Sequence, residues 1–192
     1  MTLGMIANIL RVGCGVVCVS VCALAPLAFR SSPESRHATD GGLGTHLYVT
    51  WDRFEVDRCV TAWLIKRFVD SEAEFQFYPV GSPVPSEGCI AFDTPGARYE
   101  RSPGRSVSDT VLAEAGLDEP AVHELVRLVR ATEVAFWMIT PGSEEANLRD
   151  TLQALWVGDQ APKEHLQRIF GYLDTVRANG GTPPTTRGVE PP

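Results

Sequence analysis

The sequence contains no C-x-x-C pair, no G-x-x-x-x-G-K loop and no G-x-G-x-x-G turn. The first absence leaves a zinc ribbon or dithiol centre without its usual ligands. The other two remove the backbone cradles that hold nucleotide phosphates. Positive charge is scarce as well: 17 Lys and Arg face 24 Asp and Glu, a formal net charge of −7. Affinity for nucleic acid rests on neutralising phosphates, so a general nucleic-acid binder is excluded and no such partner is expected. There is no internal repeat, and spacing alone defines no Ser-His-Asp arrangement. With 192 residues, 44% hydrophobic and 21% charged, general disorder and collagen-like repeats are excluded. The length suffices for one domain with a core.

What is present is unevenly spread. Residues 1–45 hold three arginines and two acids, and the remainder holds 14 basic and 22 acidic residues. Val12 to Phe29 runs eighteen residues without a charge. As a helix it would span about 27 Å, near the ~30 Å hydrocarbon core of a bilayer. Residues 1–29 therefore read as an apolar helix that serves as a signal peptide or a membrane anchor. Ala23-Leu24-Ala25 has the form of a cleavage site, and Pro26 directly after it opposes cleavage. The alternative is translated upstream sequence from a mis-assigned start, which would make the protein cytoplasmic instead of membrane-anchored or exported. Cys14, Cys18 and Cys22 share one helix face, where cysteine acts as a small hydrophobe. Residues 30–45, rich in Ser, Gly and Pro, read as a linker, and residues 179–192 as a disordered tail.

The folded body is expected over residues 46–178. His46 to Trp51 alternates in polarity and predicts a strand. From Asp57 the period becomes helical, with Val56, Val60, Trp63, Leu64 and Phe68 in one stripe. Glu74–Tyr78 and Gly88–Asp93 predict two more strands. Helices are expected over Ser106–Ala115, from Pro120, through Leu148–Trp156 and after Pro162. The order predicts an α/β fold with a small, mostly parallel sheet and a helical C-terminal half. The four histidines, His37, His46, His123 and His165, read as solvated surface residues.

In such sheets ligands sit beyond the carboxyl ends of the strands. Asp52 follows the first strand, Asp57 opens the next helix, and Asp93 ends the third strand. Converging carboxylates of this kind would suit a divalent metal such as manganese. Arg58 stands beside Asp57, and Arg98, Arg101 and Arg105 follow Asp93 in a loop. Their forked donors would suit an oxyanion. The bland alternative is a helix cap, a strand end and solvated arginines.

The segment T-W-D-R-F-E-V-D-R-C-V-T-A-W-L-I-K-R-F-V-D-S-E-A-E-F-Q-F-Y-P, residues 50–79, resembles the signature of the ChrB-type chromate-resistance domain. The matching positions include Asp57, Arg58, Trp63, Leu64, Ile65, Arg67, Phe68, Asp70, Glu74, Phe75, Phe77 and Pro79. F-D-T-P-G at 92–96 and L-V-R-L-V-R-A-T-E at 125–133 are similar to later parts of the pattern. Thr61, Ala62, Arg101 and Ser106 stand where that family usually has Cys, Pro, His and Cys. Cys59 points about 160° away from Thr61 on a helix and is a poor substitute. The resemblance implies an accessory or sensing protein of chromate tolerance, with chromate or a similar oxyanion as partner. A more distant likeness, T-x-D-x-x-x-x-D with a later D-x-P-G, is to the metal-site layout of DHH-type phosphoesterases. It implies, as the rival, a metal-dependent hydrolase with a reduced site. A third reading is a degenerate interaction module.

Overall fold

The computed structural model describes residues 45–157 and 162–184. The expected apolar helix of residues 1–29, most of the 30–45 linker and most of the tail lie outside them. No helix among the described residues is long and apolar enough to cross a membrane.

The first strand, β1, is Leu47–Trp51, followed by helix α1, Val56–Leu64, which runs into a π-helical turn at Ile65–Val69. Strand β2 is Glu74–Tyr78 and β3 is Ile90–Ala91. The chain then becomes helical: α2 is Val107–Glu114, α3 is Pro120–Val134, α4 is Glu144–Trp156 and α5 is Pro162–Ala178. The sheet has the order β2-β1-β3 and is parallel throughout, with Tyr48 opposite both Phe75 and Ile90. This is the expected α/β class, with three parallel strands and five helices among the described residues.

Three local differences have physical causes. The third strand is shorter than Gly88–Asp93. Gly88 has a positive φ of 68°, and Phe92, although its N–H still donates to the Val49 carbonyl at 3.0 Å, pairs on as an isolated bridge to Tyr99. Helix α1 is not one-sided: all nine of its residues are buried, because the other four helices contact it as well as the sheet carrying it. Its polar residues Asp57, Arg58 and Thr61 therefore need internal partners. His165 is buried against the Trp156 ring, 5.5 Å between centroids, and neither ring nitrogen has a partner. His46 and His123 are exposed, as expected.

The core runs between α1 and its neighbours. Trp63, Leu64, Leu125, Leu128, Leu148, Ile169 and Leu173 are fully buried. The Trp63 indole N–H donates to Asp174 Oδ1 at 2.8 Å, tying α1 to α5. The connection from α3 to α4 forms a 3-10 turn that leaves Phe136, Trp137 and Met138 exposed.

Candidate functional site

Two Pro-Gly turns shape the loop after β3. In Thr94-Pro95-Gly96-Ala97 the Ala97 N–H donates to the Thr94 carbonyl at 3.1 Å and Gly96 has φ 74°. Proline preset for the second position and glycine in the left-handed third are what a type II turn demands. The second turn, Ser102-Pro103-Gly104-Arg105, closes through Arg105 N–H to the Ser102 carbonyl at 3.0 Å, with Gly104 at φ 75°. Between the turns, Asp93 N–H donates to the Tyr99 carbonyl at 2.9 Å. This folding carries Arg101 back over the carboxyl ends of the strands. Asp93 itself has φ 50°, a region that Asp and Asn enter more readily than other non-glycine residues.

Arg58 and Arg101 then meet four acids. Arg58 is 2% exposed. Its Nη2 lies 2.9 Å from Asp93 Oδ2 and 3.6 Å from Glu55 Oε2. Nε reaches Thr50 Oγ1 at 3.0 Å, Nη1 the Arg53 carbonyl at 2.6 Å, and Nη2 also the Asp93 carbonyl at 3.1 Å. Arg101, with 34% of its side chain exposed, places Nη2 2.9 Å from Glu55, 3.4 Å from Asp93 and 3.6 Å from Asp57. Its Nη1 lies 3.5 Å from Glu133. The Nε of Arg101 is buried without a partner.

Asp57 does more than open its own helix. Its Oδ2 accepts from the Val107 N–H at 2.7 Å; its Oδ1 accepts from the Ser108 N–H at 2.9 Å and the Ser108 hydroxyl at 2.8 Å. The third free N–H of α2, Asp109, is taken by Ser106 Oγ in a capping box. A carboxylate on the first turn also meets the positive end of the helix dipole. Glu133 of α3 does the same for α1, accepting from Val56 and Asp57 N–H at 3.0 and 3.3 Å. Asp109 of α2 in turn binds Arg130 of α3. Thus α3 caps α1, α1 caps α2, and α2 returns to α3 through the Asp109–Arg130 ion pair.

Asp57→Ala leaves the buried Val107 and Ser108 N–H groups without an acceptor and takes one from the Ser108 and Thr61 hydroxyls. Caps are worth about 1 kcal/mol and each buried unpaired donor costs roughly 1–3 kcal/mol. We expect a loss of about 3 kcal/mol in the urea unfolding free energy, with α2 the first segment to exchange its amide protons. A loss under about 1 kcal/mol would contradict the capping role.

Burial is the main influence on the acids here. It pushes the Asp93 carboxyl up to about 7, against the pull of Arg58 and with the push of Asp57 and Glu55. It also raises Glu133, against Arg101. For Arg101, burial works against the charge, and the surrounding carboxylates outweigh it and raise its pKa.

Of the residues singled out from the sequence, Asp57, Asp93, Arg58 and Arg101 come together. Asp52 is exposed outside the cluster, and its N–H donates to the Tyr78 carbonyl at 2.7 Å. Arg98 reaches Glu114 at 3.4 Å and lies over the Tyr99 ring. Arg105 reaches the Asp109 carbonyl at 3.4 Å. Glu55, Glu133 and Ser108 join the cluster without having been expected there. Glu133 ends the L-V-R-L-V-R-A-T-E run and Glu55 precedes Asp57 by two, so both stand inside recognisable motifs. Nothing in the sequence marks Ser108, because its role depends on a contact across 51 positions.

The acids do not fit a divalent ion as they stand. Asp57 has its oxygens occupied by donors, Asp93 is held by Arg58, and the Arg101 guanidinium fills the space between the carboxylates. Among the described residues no group of three or more His, Cys, Asp and Glu could hold a metal ion. Cys59 is fully buried, which pushes its thiol well above the ordinary range.

No curated protein and no solved structure matches the chain. A family model does: the one described as ChrB, C-terminal domain, over residues 48–179. That span holds nearly all of the sheet, α1 to α5 and every residue of the charged cluster, and the chain belongs to this family of chromate resistance proteins.

Proposed function

We propose that this chain is an accessory or sensing domain of chromate tolerance that takes up the oxyanion at Arg101. The supporting observation is the state of that side chain. It is the cluster arginine that reaches solvent, it sits on a loop set by two Pro-Gly turns, and its Nε is unmatched. Arg58 has its donors committed to the fold and serves as the floor. A guanidinium presents paired donors that match an oxyanion.

Two arginines stand among four carboxylates, so a dianion meets repulsion unless protons compensate. Asp93 and Glu133, whose carboxyls burial has raised, are the groups that take them up. Binding is therefore strongest on the acid side of neutrality, and the loop shifts as chromate replaces Glu55 at Arg101. In this reading residues 1–29 bring the domain to the membrane or across it. The hydrolase reading gains no support from the geometry, since the residues do not assemble a metal site.

The test is calorimetric titration of the full chain with chromate, with sulfate as the control anion. Wild type is expected to bind chromate in preference to sulfate. Arg101→Ala is expected to lose at least tenfold in affinity, while Arg98→Ala retains it. Unchanged chromate binding by a folded Arg101→Ala protein would overturn the assignment.

A further inference from the structure

The connection from α3 to α4 carries no charge from Val134 to Ser143, in a body that is otherwise densely charged. Helix α3 breaks at Ala135, whose φ of −123° and ψ of 33° leave the helical region. Two turns then hold the segment. Met138 N–H donates to the Ala135 carbonyl at 2.8 Å. Ser143 N–H donates to the Thr140 carbonyl at 3.1 Å across Pro141 and Gly142, the latter at φ 81°. Proline and glycine at these places again suit a type II turn. Before that turn, Phe136, Trp137 and Met138 are 64%, 71% and 72% exposed. The Phe136 and Trp137 rings pack edge to face on each other, 5.4 Å between centroids. Large apolar side chains held outward side by side mark a surface that meets a partner or another phase.

The nearest charges along the chain are paired. Glu133, before the turn, lies 3.5 Å from Arg101 Nη1. Glu144 and Glu145, after it, lie 3.8 and 3.2 Å from Arg127. The attraction that the turn offers is therefore apolar, and its extent decides what it fits. Large aromatic side chains present roughly 150–250 Å² each, so these three, mostly exposed, offer on the order of 400 Å². A stable pair of protein surfaces needs about 800 Å² per partner. A bilayer sets no such minimum. Tryptophan is enriched at its headgroup level, and Trp and Phe side chains sink roughly 5–10 Å into that boundary. The chain also carries a segment suited to a bilayer. Val12 to Phe29 has the length and apolarity of a membrane span, and the residues 30–44 that follow it reach at most about 50 Å when extended. A domain of this size has a radius of gyration of about 14 Å, so any of its faces can come to the surface on such a tether.

We propose that the Phe136-Trp137-Met138 turn docks on a lipid bilayer, with the Trp137 ring at the headgroup level of a zwitterionic phospholipid. This rests on the reading of residues 1–29 as a membrane segment and adds a second point of attachment, which orients the domain where a single tether leaves it free to swing. Glu133 stands three residues before Phe136 and contacts Arg101, so the docked turn holds the charged cluster close to the membrane surface.

The tryptophans supply the test, because residues 1–29 contain none. The full chain is reconstituted into phosphatidylcholine vesicles whose acyl chains are brominated near the headgroup, where bromine quenches indole emission at short range. Flotation reports on the membrane segment and quenching reports on the turn. Wild type is expected to float with the vesicles and to lose emission relative to unbrominated vesicles, and Trp137→Phe to lose at least twofold less. Phe136→Ser combined with Met138→Ser changes two exposed side chains, leaves the fold intact by circular dichroism, and is expected to cut the loss at least twofold as well. Floated protein whose quenching is the same in wild type and Trp137→Phe overturns the proposal and leaves the membrane segment standing. Protein that neither floats nor is quenched overturns both. Quenching that disappears as the protein-to-lipid ratio rises assigns the turn to a second copy of the chain and overturns the proposal too.

Discussion

Arg58→Ala is expected to cost about 4 kcal/mol of unfolding free energy, read from urea denaturation at pH 8. Arg58 is 2% exposed, and its donors tie three separate segments: Thr50 in β1, the Arg53 carbonyl after it, and both the carbonyl and the carboxylate of Asp93 after β3. Truncation leaves the buried Asp93 carboxylate with only the longer contact to Arg101, at 3.4 Å, and two carbonyls without donors. Removing one partner of a buried ion pair costs roughly 3–5 kcal/mol, a large share of a total stability of about 5–15 kcal/mol. Arg58→Lys restores little, because an ammonium cannot reach three segments with a planar fork. Arg98→Ala is the control: its pair with Glu114 is exposed on both sides, and such pairs contribute about 0–1 kcal/mol. If Arg58→Ala and Arg98→Ala lose the same small amount, the central place given to Arg58 is wrong.

Much of this fold is legible in the sequence, and the exceptions are instructive. β2 follows directly from alternation, its Phe75 and Phe77 half-buried between exposed Glu74 and Gln76, whereas β1 alternates in polarity although Tyr48, Val49 and Thr50 are buried on both faces. The helix starts at Pro120 and Pro162 follow from proline chemistry. The type II turn at Thr94–Ala97 is written in D-T-P-G. Helix α1 misleads because its stripe of Val60, Trp63 and Leu64 implies an opposite polar face in water, whereas α2 and α3 cover that face too. Periodicity reports which side is more apolar, and it cannot report that a second layer will satisfy the polar side with caps and ion pairs. The same limit applies to the acids. Spacing places Asp57 at the opening of α1 correctly, and Asp93 just beyond the end of β3. Whether their oxygens face a cation, a helix end or an arginine depends on Val107, Ser108 and Arg101, which lie far away in the chain. His165 departs from expectation for a related reason: it falls beside the stripe of α5, and Trp156 from α4 covers it.

Asp93→Asn is expected to change the pH dependence of stability more than its value at any one pH. In the folded protein burial raises the Asp93 carboxyl to about 7, whereas in an unfolded chain an aspartate titrates near 3.9. The folded state therefore holds the proton more tightly than the unfolded state between these values. Its contribution to stability is fully present below about pH 4 and is lost as the pH rises to about 7. Asparagine has no such proton. It suits the φ of 50° at this position, and it keeps an oxygen for Arg58. Relative to wild type, the variant is expected to gain about 4 kcal/mol between pH 4 and pH 8, since each tenfold change in proton affinity is worth about 1.4 kcal/mol. Urea midpoints of both proteins across that range measure it directly, and parallel profiles would show that Asp93 is not the titrating group. On the proposed reading of Arg101, the same substitution bears on chromate. With one negative charge removed from beside Arg101, affinity at pH 8 should rise several-fold and its pH dependence should flatten. A proton taken up by Asp93 on binding would then be absent from the variant, so the heat of binding should vary less with the ionisation enthalpy of the buffer than in wild type. Agreement between the stability profile and the binding profile would identify one carboxyl as the source of both.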